Sequence, residues 1–228
     1  QGETRQTRDG EGKLTESTVV GTPAVPYAYD QDSLLRQAGD LSLSRDAANG
    51  LLTGTELGPV STTLDYDGFG DLQSLTAGRA GTDLFEESVD RDAGGRITEK
   101  TETIAGETHT IAYGYDAAGR LETVRRDGAL VVSYGYDANG NRVSEQPAGA
   151  AAITATFDDR DRLVSRGAVD YDFDAAGVLS SRTDTSSDET TTYDYDALGG
   201  LTGVELPDGR EVDYVLDGLG RRVAKKVD

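Results

Sequence analysis

One short phrase returns along the whole chain, and a period of this kind commits a sequence to an array of like units before any single element is assigned. Its clearest copies are Tyr113-Gly-Tyr-Asp-Ala-Ala-Gly-Arg-Leu121 and Tyr134-Gly-Tyr-Asp-Ala-Asn-Gly-Asn-Arg-Val143. The segments Leu64 to Leu72, Tyr171 to Leu179, Tyr193 to Leu201 and Tyr214 to Val223 follow the same form. With the central aspartate as anchor, the copies fall at Asp9, Asp30, Asp46, Asp67, Asp92, Asp116, Asp137, Asp158, Asp174, Asp196 and Asp217. Successive spacings are 21, 16, 21, 25, 24, 21, 21, 16, 22 and 21 residues. Eleven copies in 228 residues leave no room for an unrelated domain, so residues 1–228 read as a single array.

Each copy has a physical reading. Before the anchor, apolar side chains recur at every second position, as in Ile111, Tyr113, Tyr115 and in Val212, Tyr214, Leu216. That is the alternation of a strand with one buried face. The aspartate then opens a tight turn, its carboxylate placed to accept main-chain N–H groups one or two residues ahead, and glycine three residues later supplies a positive φ. The residues expected to build these turns are Tyr115, Asp116, Gly119, Tyr136, Asp137, Gly140, Tyr195, Asp196, Gly199, Asp217 and Gly220. A second turn signal lies between most anchors, such as Asp127-Gly128, Pro207-Asp208-Gly209, Gly106 or Gly167. Aspartate-glycine between alternating segments is a strong hairpin signal.

The fold class expected is therefore all-β: a continuous antiparallel meander of hairpins, roughly 20 strands with essentially no helix. At about 4.8 Å per strand the ribbon would run about 100 Å, and sheets twist, so it is expected to coil into a spiral or open-barrel shell. Only 36% of residues are apolar, against 29 glycines and 11 tyrosines, so no thick aliphatic core is expected. Cohesion is assigned to ladders of tyrosine on neighbouring strands.

Composition excludes several functions. With 42 acidic against 22 basic side chains the net charge is −20, which argues against a nucleic-acid interface, since phosphate contacts need a basic face. No stretch approaches the roughly 18 apolar residues of a membrane-spanning helix, so no membrane insertion is expected. The absence of cysteine removes disulfides and thiolate chemistry. Methionine is absent as well, so the chain reads as a processed product or a piece of a longer one.

The residues also resemble a known family. Tyr-Asp-x-x-Gly-Arg-Leu, carried by Tyr115 to Leu121, and the run Tyr214 to Val227 are similar to the YD repeat of bacterial Rhs proteins, which insecticidal toxin-complex shells and teneurins share. The likeness extends from about Gly2 to Asp228. It implies a strip of hairpins spiralling into a hollow shell, which in the toxin members encloses a toxic polypeptide and in teneurins serves adhesion. Family shells have many more repeats, so this chain resembles a segment. The Asp-Pro-containing self-cleavage motif of the Rhs core is not in the sequence, so no autoprotease residue carries over.

Chemistry is sparse. The single histidine, His109, shares the parity of Ile111, Tyr113 and Tyr115 and is read as part of that strand face. No Gly-x-Ser-x-Gly elbow accompanies it. The carboxylate pairs Asp170 with Asp172 and Asp194 with Asp196 follow the repeat phase, which suits strand faces and turns. Asp65 to Asp71 lacks the core and closing glutamate of an EF-hand loop. Arg96, Arg120, Arg221 and Arg222 are expected to pair with neighbouring acids. No catalytic residue, metal ligand or cofactor is assigned.

The expected function is structural: a non-catalytic segment of a secreted or cell-surface bacterial Rhs/YD-repeat protein, forming part of a β-shell or scaffold around a toxin. Its partners would be other segments of the parent shell, further copies of itself or an encapsulated polypeptide. The alternative is an extracellular adhesion module whose tyrosines stack on surface glycans, or one assembling end to end into filaments through open edge strands.

Overall fold

The computed structural model describes residues 3–228, so Gly2, the start of the family likeness, lies outside the described residues. Among these residues there are twenty-two strands and no helix. The chain divides into two compact units, one running to Tyr115 and including Val124–Ala129, the other made of Asp116–Thr123 and Leu130–Asp228. In the first, eleven strands from β1 (Thr4–Arg8) to β11 (Glu107–Tyr115) each pair antiparallel with the next in sequence. After β12 (Leu121–Arg126), ten strands from β13 (Ala129–Tyr136) to β22 (Arg222–Val227) do the same in the second unit.

Register shows why one layer suffices to sort the side chains. In the first unit Thr62, Ala77, Phe85 and Ile104 lie opposite one another on successive strands, while the adjacent row is Thr63, Thr76, Glu86, Thr103 and Thr108. One face thus carries most of the apolar side chains, with the ion group of Lys100, Glu87 and Glu102 set among them, and the other is hydroxylated and acidic, as period-two alternation requires. Across that polar face hydroxyls pair directly, Thr103 with Thr108 at 2.9 Å. Burial stays shallow. Val89 and Val212 are the only buried hydrophobic side chains among the described residues.

A bulge marks the anchor turns, whereas the Gly106 turn between β10 (Ile97–Ile104) and β11 keeps its register. The register slips just before the anchor, leaving one extra residue on the outgoing strand: Thr15, Arg36, Gln73, Thr98, Ser180 and Thr202 are examples. Three of these fold their hydroxyl back onto the incoming strand, Thr98 to the Asp90 carbonyl, Ser180 to Asp172 and Thr202 to Asp194. Such bulges increase local twist and re-aim side chains.

The turns depend on a left-handed residue. Gly140 has φ 95° with nothing within 4 Å of where a methyl group would stand, so only its backbone freedom is in use. In two copies a side-chain-bearing residue stands there instead, Ser33 at 67° and Asp161 at 58°. Urea unfolding is expected to show Gly140→Ala destabilising by about 1 kcal/mol and Ser33→Gly stabilising by a comparable amount, since left-handed backbone costs an L-residue about 1–2 kcal/mol.

Candidate functional site: the repeat junction

The features shared by all copies meet where one copy adjoins the next. Each anchor aspartate folds its carboxylate over its own turn. Oδ1 of Asp116 accepts the N–H groups of Ala118 and Arg120, that of Asp137 those of Asn139 and Asn141, that of Asp196 those of Leu198 and Gly200, and that of Asp217 those of Leu219 and Arg221, at 2.8–3.0 Å. The acceptor reach is therefore two and four residues, longer than the one or two expected, because the turn curls back over the carboxylate. Gly119, Gly140, Gly199 and Gly220 close the loop by donating N–H to the anchor carbonyl at 2.9–3.2 Å, all at positive φ. One turn has the same backbone bonds without an anchor: Gly209 donates to the carbonyl of Leu206, and Leu206 to that of Arg210.

The second carboxylate oxygen takes the side chain four residues on. Arg96, Arg120, Arg162 and Arg221 place Nε 2.7–2.8 Å from Oδ2 of Asp92, Asp116, Asp158 and Asp217. These contacts hold the acids ionised. The Arg162 guanidinium lowers Asp158 from 3.8 to about 2, and Arg96 and Arg221 act the same way on Asp92 and Asp217. At Asp116 the main-chain N–H of Arg120 is the leading cause and its guanidinium the next. The Asn141 side-chain amide lowers Asp137 without a formal charge.

The same guanidinium groups reach the following copy. Arg96 lies over the ring of Tyr115 at 4.7 Å from its centroid, Arg120 over Tyr136 at 4.6 Å and Arg162 over Phe173 at 4.7 Å. The tyrosine before each anchor reaches back as well. The hydroxyls of Tyr29, Tyr66, Tyr115 and Tyr136 donate to the carbonyls of Leu14, Leu52, Ile97 and Leu121, the first strand residue of the preceding copy, at 2.6–3.0 Å. Tyr195 occupies the corresponding place, where burial pushes its phenol above the ordinary value. The Tyr115 and Tyr136 rings therefore sit between a guanidinium of the previous copy and that copy's main chain.

Arginine replaces tyrosine in three copies, at Arg8, Arg45 and Arg91. Arg45 and Arg91 donate to the same class of acceptor, the carbonyls of Leu35 and Leu72, at 3.1 and 3.4 Å. Both also bond a glycine carbonyl of their own turn, Gly50 and Gly95. In the copies preceding them, the place four residues after the anchor or its equivalent is Leu34 or Asp71, without a cation. In these two junctions the cation thus comes from the later copy.

Several sequence expectations take a definite place here. Arg96, Arg120 and Arg221 pair with anchor acids, whereas Arg222 lies over the Tyr214 ring at 5.1 Å. His109 Nδ1 is 2.8 Å from Oδ2 of Asp127, whose Oδ1 accepts the Thr110 N–H and whose carboxyl is held low first by that N–H and then by the histidine. Asp172 accepts the Ser181 hydroxyl and Asp65 that of Ser74. No cluster of three or more His, Asp or Glu side chains suited to a metal ion occurs among the described residues.

Two measurements probe the junction. Tyr136→Phe is expected to lower stability by about 0.5–1.5 kcal/mol, the net value of one hydrogen bond, while Tyr171→Phe changes it by less than about 0.5 kcal/mol. An acid titration of the folded fraction should show the junction acids' contribution intact above pH 3.8, their ordinary value, and lost as pH falls toward about 2. Their folded values are depressed, so acid destabilises. Arg162→Leu should move the Asp158 share of that loss upward in pH.

The profile of the teneurin YD-shell family matches residues 5–228. The crystal structure of TcdB2-TccC3 without hypervariable C-terminal region aligns with a TM-score of 0.69 at 16% identity, over 99% of this chain and 15% of that one. For TcdB2-TccC3-TEV the values are 0.65, 14%, 99% and 15%. For the Photorhabdus luminescens Tc holotoxin pore they are 0.65, 15%, 99% and 15%. The likeness to these structures is one of fold, and the chain spans 15% of their length.

Proposed function

The chain belongs to the teneurin YD-shell family, and we propose on that footing that it is a wall segment, a non-catalytic stretch of a larger β-shell in a secreted or cell-surface bacterial protein. The observation carrying this reading is the repeat junction: the recurring chemistry of the chain is spent on fastening each copy to the next. The anchor acids are engaged with their own turns, and Tyr29, Tyr66, Tyr115 and Tyr136 have their hydroxyls on main-chain carbonyls. Rings so engaged are poorly placed to stack on sugars, which favours a wall over the glycan-binding alternative. A one-layer sheet whose two faces differ, one largely apolar and one hydroxylated, suits a partition between solvent and an enclosed polypeptide, the cargo we assign to the complete shell.

The absence of cysteine makes the test clean. Val60 and Ser61 are neighbours on β7 (Val60–Tyr66), both exposed and on opposite faces by strand alternation. In the full-length native protein, Val60→Cys and Ser61→Cys should both react with a small maleimide, but only one with a polyethylene-glycol maleimide too bulky to enter a shell. Equal reaction of both positions with the bulky reagent would contradict an enclosing wall.

A further inference from the structure

One junction is fastened by neither a tyrosine hydroxyl nor a stacked guanidinium. Between the copies anchored on Asp137 and Asp158, the residue before the later anchor is Phe157, and the place four residues after the earlier one is held by Asn141. Asp161 makes the link instead. Its Oδ1 accepts the side-chain amides of Asn139 and Asn141, at 2.8 and 2.7 Å. The strand ladder here is short, Ser144 opposite Thr154 and Glu145 opposite Ile153, and Arg166 pairs with Glu145 across it at 2.8 Å. Asp161 stands where most copies have glycine and keeps a left-handed φ of 58°, so the residue that makes the link also carries backbone strain.

Asn139 is followed by Gly140, one of two Asn-Gly pairs in the chain, the other being Asn49-Gly50. Glycine has no Cβ to keep its main-chain nitrogen from the Cγ of a preceding asparagine, and nothing lies within 4 Å of where a Cβ on Gly140 would stand. We propose that Asn139 is a site of hydrolytic deamidation that Asp161 holds closed, and that the modification, once made, releases this junction irreversibly. In the step, hydroxide takes the proton of the Gly140 amide, its nitrogen bonds Asn139 Cγ, and the Cγ–Nδ2 bond breaks to release ammonia. Water then opens the succinimide to aspartate or isoaspartate, with no change of oxidation state. In the closed turn Nδ2 is tethered to the Asp161 carboxylate and the Gly140 N–H donates to the Asp137 carbonyl at 3.2 Å, so both bonds must open before the nitrogen attacks. Afterwards a carboxylate stands in place of the amide donor and faces Asp161, so an attraction becomes a like-charge repulsion. This site goes beyond the wall reading, which stands whether or not Asn139 is modified.

Peptide mapping by mass spectrometry follows the exchange of NH2 for OH at Asn139 and Asn49 while the folded chain is held at mildly alkaline pH. Asp161→Gly, which installs the residue of most other copies, should speed conversion of Asn139 about tenfold, the population factor of one charge-assisted hydrogen bond, and leave Asn49 at the parent rate. Asn139→Asp should lower Tm by about 2–4 °C in the parent chain and by less than about 1 °C in the Asp161→Gly background. The proposal is refuted if Asp161→Gly leaves the Asn139 rate unchanged or speeds both asparagines alike. It is equally refuted if Asn139→Asp leaves the parent Tm where it was or lowers it by the same amount in both backgrounds.

Discussion

A sheet one layer thick has no second layer against which to bury its apolar face, and this chain answers that constraint at the junction between repeats. An anchor aspartate fixes a turn, the side chain four residues later joins its second oxygen, and that side chain or the residue before the next anchor reaches across to the neighbouring copy. Strand ladders alone would leave each hairpin marginal in water. Where it is formed, the junction gives a copy a side-chain attachment to its predecessor that does not depend on deep burial.

The magnitudes fit this picture. With Val89 and Val212 as the buried hydrophobic residues, area burial cannot dominate as it does in a layered domain. A tyrosine hydroxyl on a carbonyl contributes about 0.5–1.5 kcal/mol, and a guanidinium over a ring at a partly exposed site about 0.5–1 kcal/mol. Neither is large, but the first recurs at four copies and the second at three. Stability then accumulates along the array through nearest-neighbour terms. The acidity follows from the same design, because each copy brings an aspartate that its turn needs ionised.

Much of the fold is legible in the sequence, because strand alternation and turn chemistry are local. Ile111, Tyr113 and Tyr115 announce a face, and an aspartate followed by glycine announces a turn. What stayed hidden depends on residues one copy apart. Nothing near Tyr136 in sequence indicates that its hydroxyl meets Leu121, or that Arg120 covers its ring. The bulge residues carry no mark of their own, being Thr15, Arg36, Gln73 or Ser180 in different copies. The Leu206 turn lacks the aspartate by which copies are recognised. The one available signal was the alternation of Arg8, Tyr29, Arg45, Tyr66, Arg91 and Tyr115 before successive anchors, which becomes meaningful once both side chains are seen to seek the same carbonyl.

That exchange offers the most direct test. The junction between the copies of Asp92 and Asp116 uses Arg96 and Tyr115, whereas the one between Asp30 and Asp46 uses Leu34 and Arg45. Converting the first form into the second, with Arg96→Leu and Tyr115→Arg singly and together, measures whether the junction is a transferable unit. By urea unfolding, each single change should cost about 1 kcal/mol, and the double variant should recover to within about 0.5 kcal/mol of the parent. Losses that simply add in the double variant would contradict the claim that one cation and one carbonyl clasp hold the repeats together.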